Sequence, residues 1–266
     1  MKNKIAIFSV PRSGSTWLGQ IFNSNKNVIY KYQPLFSYAY KSFLDENSDL
    51  DDINTFYNKI SQSNDFFINQ TNEINEKIVP LFNKSPNKTH IIFKEVRYLN
   101  IIENLLKKDI RIIGLVRNPL AVINSWLSAP KEFRGDLNWD KLEEWQFSAK
   151  KNLNKKEEFN GFEKWKEATL LFEKYEKEYP NLFKIVEYKN LLLNSRETVE
   201  ELFNFCSLEI QNQTLYFLNN DKESDNPYSV YKTKISDSKW KTNLNPLIIG
   251  AIKRDLKGSI LEKYML

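Results

Sequence analysis

The chain is poor in the residues that build covalent or metal-bound scaffolds. Cysteine occurs once in 266 residues, at Cys206, so no internal disulfide can form and no cysteine-rich metal site exists. Cys206 lies in the apolar stretch Leu202-Phe203-Asn204-Phe205-Cys206-Ser207-Leu208, where a thiol reads as a small buried hydrophobe. Histidine also occurs once, at His90. No apolar run approaches the roughly 18 residues of a membrane-spanning helix. The first strand-like run begins so close to Met1 that no signal peptide fits ahead of it, and a soluble, cytoplasmic protein is expected. Neither sign of charge dominates: 39 basic and 34 acidic residues leave a formal +5. That mild excess suits an anionic ligand and falls well short of a nucleic-acid-binding surface, so no nucleic-acid partner is expected. With 41% hydrophobic and 14% aromatic residues, the chain is not of the disordered class.

What is present is an alternation of short apolar runs with helical patterns. Lys4–Val10, His90–Val96, Ile110–Val116 and Leu182–Glu187 are apolar and β-branched, as strands buried on both faces of a parallel sheet should be. The pattern predicts an α/β fold, an open parallel sheet of about 4–5 strands flanked by helices. Residues 1–266 are read as a single domain. Residues 38–88 are polar and predict one or two surface helices with a connection. Residues 127–161, with Pro130, Gly135 and many charges, read as an insertion at the carboxyl end of the sheet, where lids and substrate walls are built. Phe162–Glu178 predicts an amphipathic helix with Trp165, Phe172 and Tyr175 near one face. Asn194-Ser195-Arg196-Glu197 has the spacing of a capping box opening a helix over 195–206.

The chemistry concentrates at two strand-to-helix junctions. The first follows the opening strand, in Pro11-Arg12-Ser13-Gly14-Ser15-Thr16-Trp17-Leu18. A strand, a loop of small residues and a helix make an anion cradle, because the loop amides and first-turn N–H groups have no partners and point at one spot. Gly14 lets the backbone approach, Ser13, Ser15 and Thr16 offer hydroxyls, and Arg12 offers a cation. A Walker loop needs a second glycine followed by lysine, and neither is present. An ordinary strand-to-helix turn would look much the same, so a second site is needed to decide.

That second site is Arg117-Asn118-Pro119-Leu120-Ala121-Val122-Ile123-Asn124-Ser125. Asn118 is suited to cap a helix and Pro119 to its first turn, which puts Arg117 at the carboxyl end of a strand and Ser125 about two turns into the next helix. A guanidinium grips phosphate in a bidentate fork and a hydroxyl adds a directional bond.

Together the two junctions resemble the sulfotransferase family, whose members take a sulfuryl group from 3′-phosphoadenosine 5′-phosphosulfate (PAPS). The loop at Arg12 resembles the family's 5′-phosphosulfate loop, and Arg117 with Ser125 resembles its 3′-phosphate motif. The resemblance implies a P-loop NTPase-like three-layer sandwich. It also implies PAPS as co-substrate, adenosine 3′,5′-bisphosphate as product, and donor contacts from Arg12, Ser13, Gly14, Ser15, Thr16, Trp17, Arg117 and Ser125. Weaker matches extend it. Phe183–Leu192 resembles a family strand ending in Tyr-Glu-Asp-Leu, with Lys189 and Asn190 in place of the two acids. Val199–Leu208 resembles the helix that follows. Lys232–Lys241 resembles the basic loop before a Trp that closes over the nucleotide, which brings in Lys234 and Trp240; a merely solvated basic loop fits equally, and the family's glycine is missing there.

Sulfuryl transfer needs positioning, electrostatic stabilisation of the leaving phosphate and a base for the acceptor. Arg12 supplies the cation, and no metal is expected. His90 opens its strand and so belongs at the far end of the sheet from the ligand site. At the near end stand Lys94, Glu95 and Arg97. Glu95 reads either as half of an ion pair with Arg97 or as the catalytic base. Gln33, where many relatives carry Glu before Pro34, cannot be a base but is suited to bind substrate. Glu132, Asp136 and Asp140 in the insertion are further carboxylates. Tyr30, Tyr32, Phe36 and Tyr38 either line an apolar acceptor pocket or pack beneath the insertion. The acceptor is a hydroxyl or amine on a small molecule, carbohydrate, lipid or peptide. The alternatives are a P-loop-type small-molecule kinase and a non-catalytic nucleotide-binding relative.

Overall fold

A computed structural model describes residues 2–219, 230 and 237–265. Its centre is a five-stranded sheet of β1 (Asn3–Phe8), β2 (Val28–Tyr32), β3 (His90–Glu95), β4 (Arg111–Val116) and β5 (Phe183–Glu187), in the order β2-β3-β1-β4-β5. All neighbours are parallel, with Phe8 opposite Glu95 and Gly114. Every carboxyl strand end therefore opens on the same edge.

The helices lie on both faces. α1 (Ser15–Asn23) follows β1; α2 (Leu50–Gln62) and α3 (Thr71–Asn75) precede β3; α4 (Ile102–Leu106) precedes β4 and α5 (Pro119–Leu127) follows it. Then come α6 (Lys141–Phe147), α7 (Ala149–Asn152) and α8 (Phe162–Glu178). After β5 lie α9 (Tyr188–Leu193), α10 (Ser195–Phe205), α11 (Asn212–Leu218), α12 (Trp240–Asn243) and α13 (Pro246–Leu256). Alternation along the strands assigns the two cores. Ala6, Phe8, Phe93 and Ile112 join residues of α2, α4, α5, α8 and α13 on one face. Ile5, Ile7, Ile92 and Ile113 join α1, α10 and α11 on the other. This is the three-layer arrangement the sequence predicts. Among the described residues no helix is long and apolar enough to cross a membrane.

Three expectations need correction. Of the aromatics offered as the wall of an acceptor pocket, Tyr30 is carried by β2 into the core against Gly19 of α1, and Tyr38 is fully exposed. The capping box at Asn194 does not form: Asn194 makes no side-chain cap, because α9 runs almost directly into α10 and its last carbonyls take the available donors, with the Asn194 amide and Thr198 hydroxyl bonded to the Asn190 carbonyl. A reciprocal box does form at Asp49 and Asp52, opening α2. Glu95 and Arg97 are not paired. β3 ends at Glu95, so strand alternation does not carry on to Arg97, which turns instead to Glu158 at 3.0 Å.

Candidate functional site

The loop leaving β1 is shaped by backbone conformation. Arg12 and Gly14 both have positive φ, 68° and 90°, and the chain turns through them into α1. Gly14 is the N-cap and provides no side-chain acceptor, so the first-turn amides of α1 keep their capacity to bind an anion. A methyl group at Gly14 would run into the Tyr188 ring. Ser13 and Ser9 place buried hydroxyls here without a hydrogen-bond partner among the described residues. A buried hydroxyl without a partner is costly, and beside free helix amides it marks a cradle that fits a phosphate or sulfonate. Ser15 is buried in the first turn, and Thr16 and Trp17 are half-buried.

The second junction meets the first. Asn118 caps α5 by accepting from the Leu120 amide at 2.9 Å, and Pro119 takes the first helical position. The Arg117 guanidinium then reaches back: its Nη1 donates to the Arg12 carbonyl at 2.8 Å. Its flat face lies 4.7 Å from the Tyr188 ring centroid, and its Nε and Nη2 donate to Asp237 Oδ1 at 2.9 and 2.6 Å. Ser125 accepts from Arg12 Nε at 3.1 Å rather than from Arg117. Arg12 Nη1 also faces Glu132 Oε1 at 3.5 Å. Tyr188 ties the site together, packed on Gly14, edge-on to Trp17 and beneath Arg117.

Beside this pair, at the ends of β2 and β3, stands a cluster of buried charges. Glu95 is fully buried; its Oε1 accepts from the Leu35 amide at 2.7 Å, and its Oε2 has no partner among the described residues. Burial pushes its carboxyl up to about 8, against the pull of the Leu35 amide, Lys94 and Arg97. Lys94 is also buried, its Nζ 4.3 Å from the Tyr32 ring centroid. Burial pushes its amine down to about 7, opposed by Glu95 and Glu132 and assisted by Arg97 and Arg12. Gln33 has φ 41° and accepts from Arg97 Nη1 at 3.0 Å. Phe36 stacks on Arg97 and, with Tyr32, meets Phe67, and both phenylalanines stay more than one-third exposed.

The remaining candidates fall outside this centre or outside the described residues. Asp136 pairs with Arg134 and Asp140 caps α6, so of Glu132, Asp136 and Asp140 only Glu132 reaches the loop. Trp126, Phe133 and Trp139 stack edge-to-face and hold that segment. His90 opens β3 at the opposite edge of the sheet and bonds the Cys206 carbonyl. Trp240 opens α12, half-buried against the core near Lys241 and Lys253. Lys234 lies outside the described residues. Among those residues no group of three or more His, Cys, Asp or Glu side chains is gathered as metal ligands would be. Tyr188 and Asp237 carry no role in the sequence reading. The one signal for Asp237 is that it is the single acid in the lysine-rich stretch 232–241.

The family described as the sulfotransferase domain matches residues 2–260. The fold is similar to the mouse sulfotransferase SULT7A1 complexed with PAP, at 12% identity and a TM-score of 0.56, over 100% of this chain and 88% of that one. It is similar to the sulfotransferase domain of the Synechococcus PCC 7002 olefin synthase, at 16% identity and a TM-score of 0.52, over 98% and 97%. It is also similar to retinol dehydratase in complex with retinol and PAP, at 12% identity and a TM-score of 0.53, over 98% and 83%. At these identities the likeness is one of fold. No curated protein matches the chain.

Proposed function

This chain belongs to the sulfotransferase domain family and is a sulfotransferase, and from that premise we propose how it binds its donor and transfers the group. The donor is PAPS, and the sulfuryl group moves by in-line displacement to a hydroxyl or amine of a small-molecule acceptor. The observation that carries the reading is the meeting of Arg12 and Arg117, 105 residues apart in sequence and joined by a hydrogen bond of 2.8 Å. Two fixed cations at neighbouring strand ends suit a ligand with two separate anionic groups.

In this reading the Ser13–Thr16 loop, the first-turn amides of α1 and Trp17 hold the 5′-phosphosulfate. Arg12 neutralises the charge that grows on the leaving phosphate as the S–O bond breaks. Arg117 and Ser125 hold the 3′-phosphate side, and Trp240 borders the nucleotide. Two fold relatives are complexed with PAP, which supports this assignment. A kinase reading is not favoured, because the loop lacks the Walker lysine.

Glu95 is the base in this reading: its Oε2 has no partner among the described residues and its raised pKa lies close to working pH, as a base requires. Its complete burial means that the acceptor must reach it through the wall formed by Tyr32, Phe36 and Gln33. Glu132 is the second reading, favoured by its partial exposure and its place against Arg12. The exposed Phe36 and Phe67 favour an acceptor with an apolar body, such as the retinol bound by one fold relative. The 127–161 segment, which carries Glu132, forms the opposite wall within one continuous domain.

Calorimetric titration tests the donor reading. Adenosine 3′,5′-bisphosphate should bind more tightly than ADP with magnesium, and Arg117→Ala should weaken the bisphosphate at least about tenfold, the scale of losing a charge-assisted bond pair. Preference for ADP with magnesium would overturn it.

A further inference from the structure

We propose that Asp237 is a built-in competitor for the 3′-phosphate of the donor, a carboxylate that holds the Arg117 fork and is exchanged for phosphate each time the nucleotide binds. The proposal rests on the donor reading given above. Three contacts fix the Arg117 guanidinium. Its Nη1 is committed to the Arg12 carbonyl at 2.8 Å, and its face rests on Tyr188 at 4.7 Å. Neither neutral partner competes with an anion. Of the two edges that present paired donors, the Nη1–Nη2 edge shares Nη1 with the Arg12 carbonyl, so the Nε–Nη2 edge is the one suited to grip a phosphate in a bidentate fork, and Asp237 Oδ1 takes both of its donors, at 2.9 and 2.6 Å. The pair is sheltered, with the two side chains 16% and 19% exposed, so it is stronger than a solvated surface ion pair. The contact of Glu132 with Arg12 is single and longer, at 3.5 Å, and competes less.

A carboxylate oxygen and a phosphate oxygen ask the same of a guanidinium edge, an anionic acceptor in its plane. Both cannot occupy it. A 3′-phosphorylated nucleotide must therefore break two charge-assisted bonds to form its own, and its affinity is lowered by that exchange. The donor and the spent bisphosphate carry the same 3′-phosphate. Asp237 weakens both and, by returning to Arg117, speeds departure of the product. A nucleotide without the 3′-phosphate leaves Asp237 in place and is not subject to this competition.

The test is calorimetric binding of adenosine 3′,5′-bisphosphate and of adenosine 5′-phosphate at 0.15 M salt, to the parent and to Asp237→Asn, Asp237→Ala and Asp237→Glu, each checked for an unchanged melting profile. The Asn and Ala variants should bind the bisphosphate about tenfold more tightly, with adenosine 5′-phosphate changed less than about twofold, the loss of one charged hydrogen-bond partner being of that order. The Glu variant, which keeps the charge, should stay near the parent. Equal tightening of both nucleotides would show a general charge effect and overturn the proposal, as would no tightening in either variant. Absence of bisphosphate binding in the parent and in every variant would overturn the donor reading and this proposal with it. Binding that appears only in the Asn and Ala variants would support both.

Discussion

At the scale of single residues, the buried neighbours Glu95 and Lys94 set opposing pH dependences. Burial holds the folded pKa of Glu95 at about 8, against an ordinary carboxyl value of 4.5. Between those values the folded state carries more protons than the unfolded chain, so stability falls as pH rises from about 4.5 to about 8. Lys94 is displaced the other way, to about 7 from 10.5, so stability rises as pH climbs through that window. Glu95→Gln keeps an acceptor for the Leu35 amide and removes the buried charge. It should be more stable than the parent at pH 8 by more than about 1 kcal/mol, since each unit of displacement corresponds to about 1.4 kcal/mol, and the gap should close at pH 5. Urea denaturation at the two pH values measures this; a constant gap would refute it. If Glu95 is the base, turnover with any accepted acceptor should rise with pH through about 8 and lose that rise in Glu95→Gln. A rise retained there and lost in Glu132→Gln would move the role to Glu132.

At the scale of the element, the β1–loop–α1 unit joins local geometry to ligand binding through Gly14. Its φ of 90° and the Tyr188 ring leave no room for a methyl group. Gly14→Ala should cost about 1–3 kcal/mol of stability and weaken the bisphosphate at least about tenfold, because moving Tyr188 also moves the surface under Arg117. Denaturation with parallel titration reads both; a variant that loses stability but binds normally would separate loop geometry from binding. Elements of this kind are legible from sequence because their signals are local. Ile5 to Phe8 and Ile112 to Val116 are apolar on both faces since both faces are covered. The Asn118 cap and Pro119 stand at their positions in the helix. The strand β2 was harder to read, since Lys31 interrupts it and is buried through bonds to the Ser63 carbonyl and Asn69, partners that only the fold supplies. The same holds at the start of α2, where Asp52 fills the capping-box place usually taken by Glu or Gln.

At the scale of the whole molecule, the parallel sheet separates a stabilising edge from the edge proposed to bind the donor. Arg12 and Arg117 were legible because each sits in a contiguous motif. Glu132 was named only as one of several carboxylates in the insertion, and Tyr188 and Asp237 carried no role, because elements distant in sequence bring them together; Asp237 meets Arg117 across 120 residues. The opposite edge holds His90, buried and bonded to Asn3 and the Cys206 carbonyl. Burial lowers its pKa below 6.5, assisted by Arg111 and opposed by the Cys206 carbonyl. Its contribution to stability is therefore present above about pH 6.5 and is lost as pH falls through the folded pKa. This arrangement predicts a double dissociation in thermal melts. His90→Ala should lower the melting temperature of the free protein while keeping the bisphosphate affinity within about twofold. Arg117→Ala, which also gives up the sheltered pair with Asp237, should lower the free protein's melting temperature modestly and abolish the stabilisation by ligand. For the parent that stabilisation is about 2.7 kcal/mol at a ligand concentration of 100 times Kd, a rise of about 5–10 °C for a chain of this size. Loss of ligand stabilisation in His90→Ala would show that the two edges are coupled through the strands, and would place binding in the whole sheet rather than at its carboxyl ends.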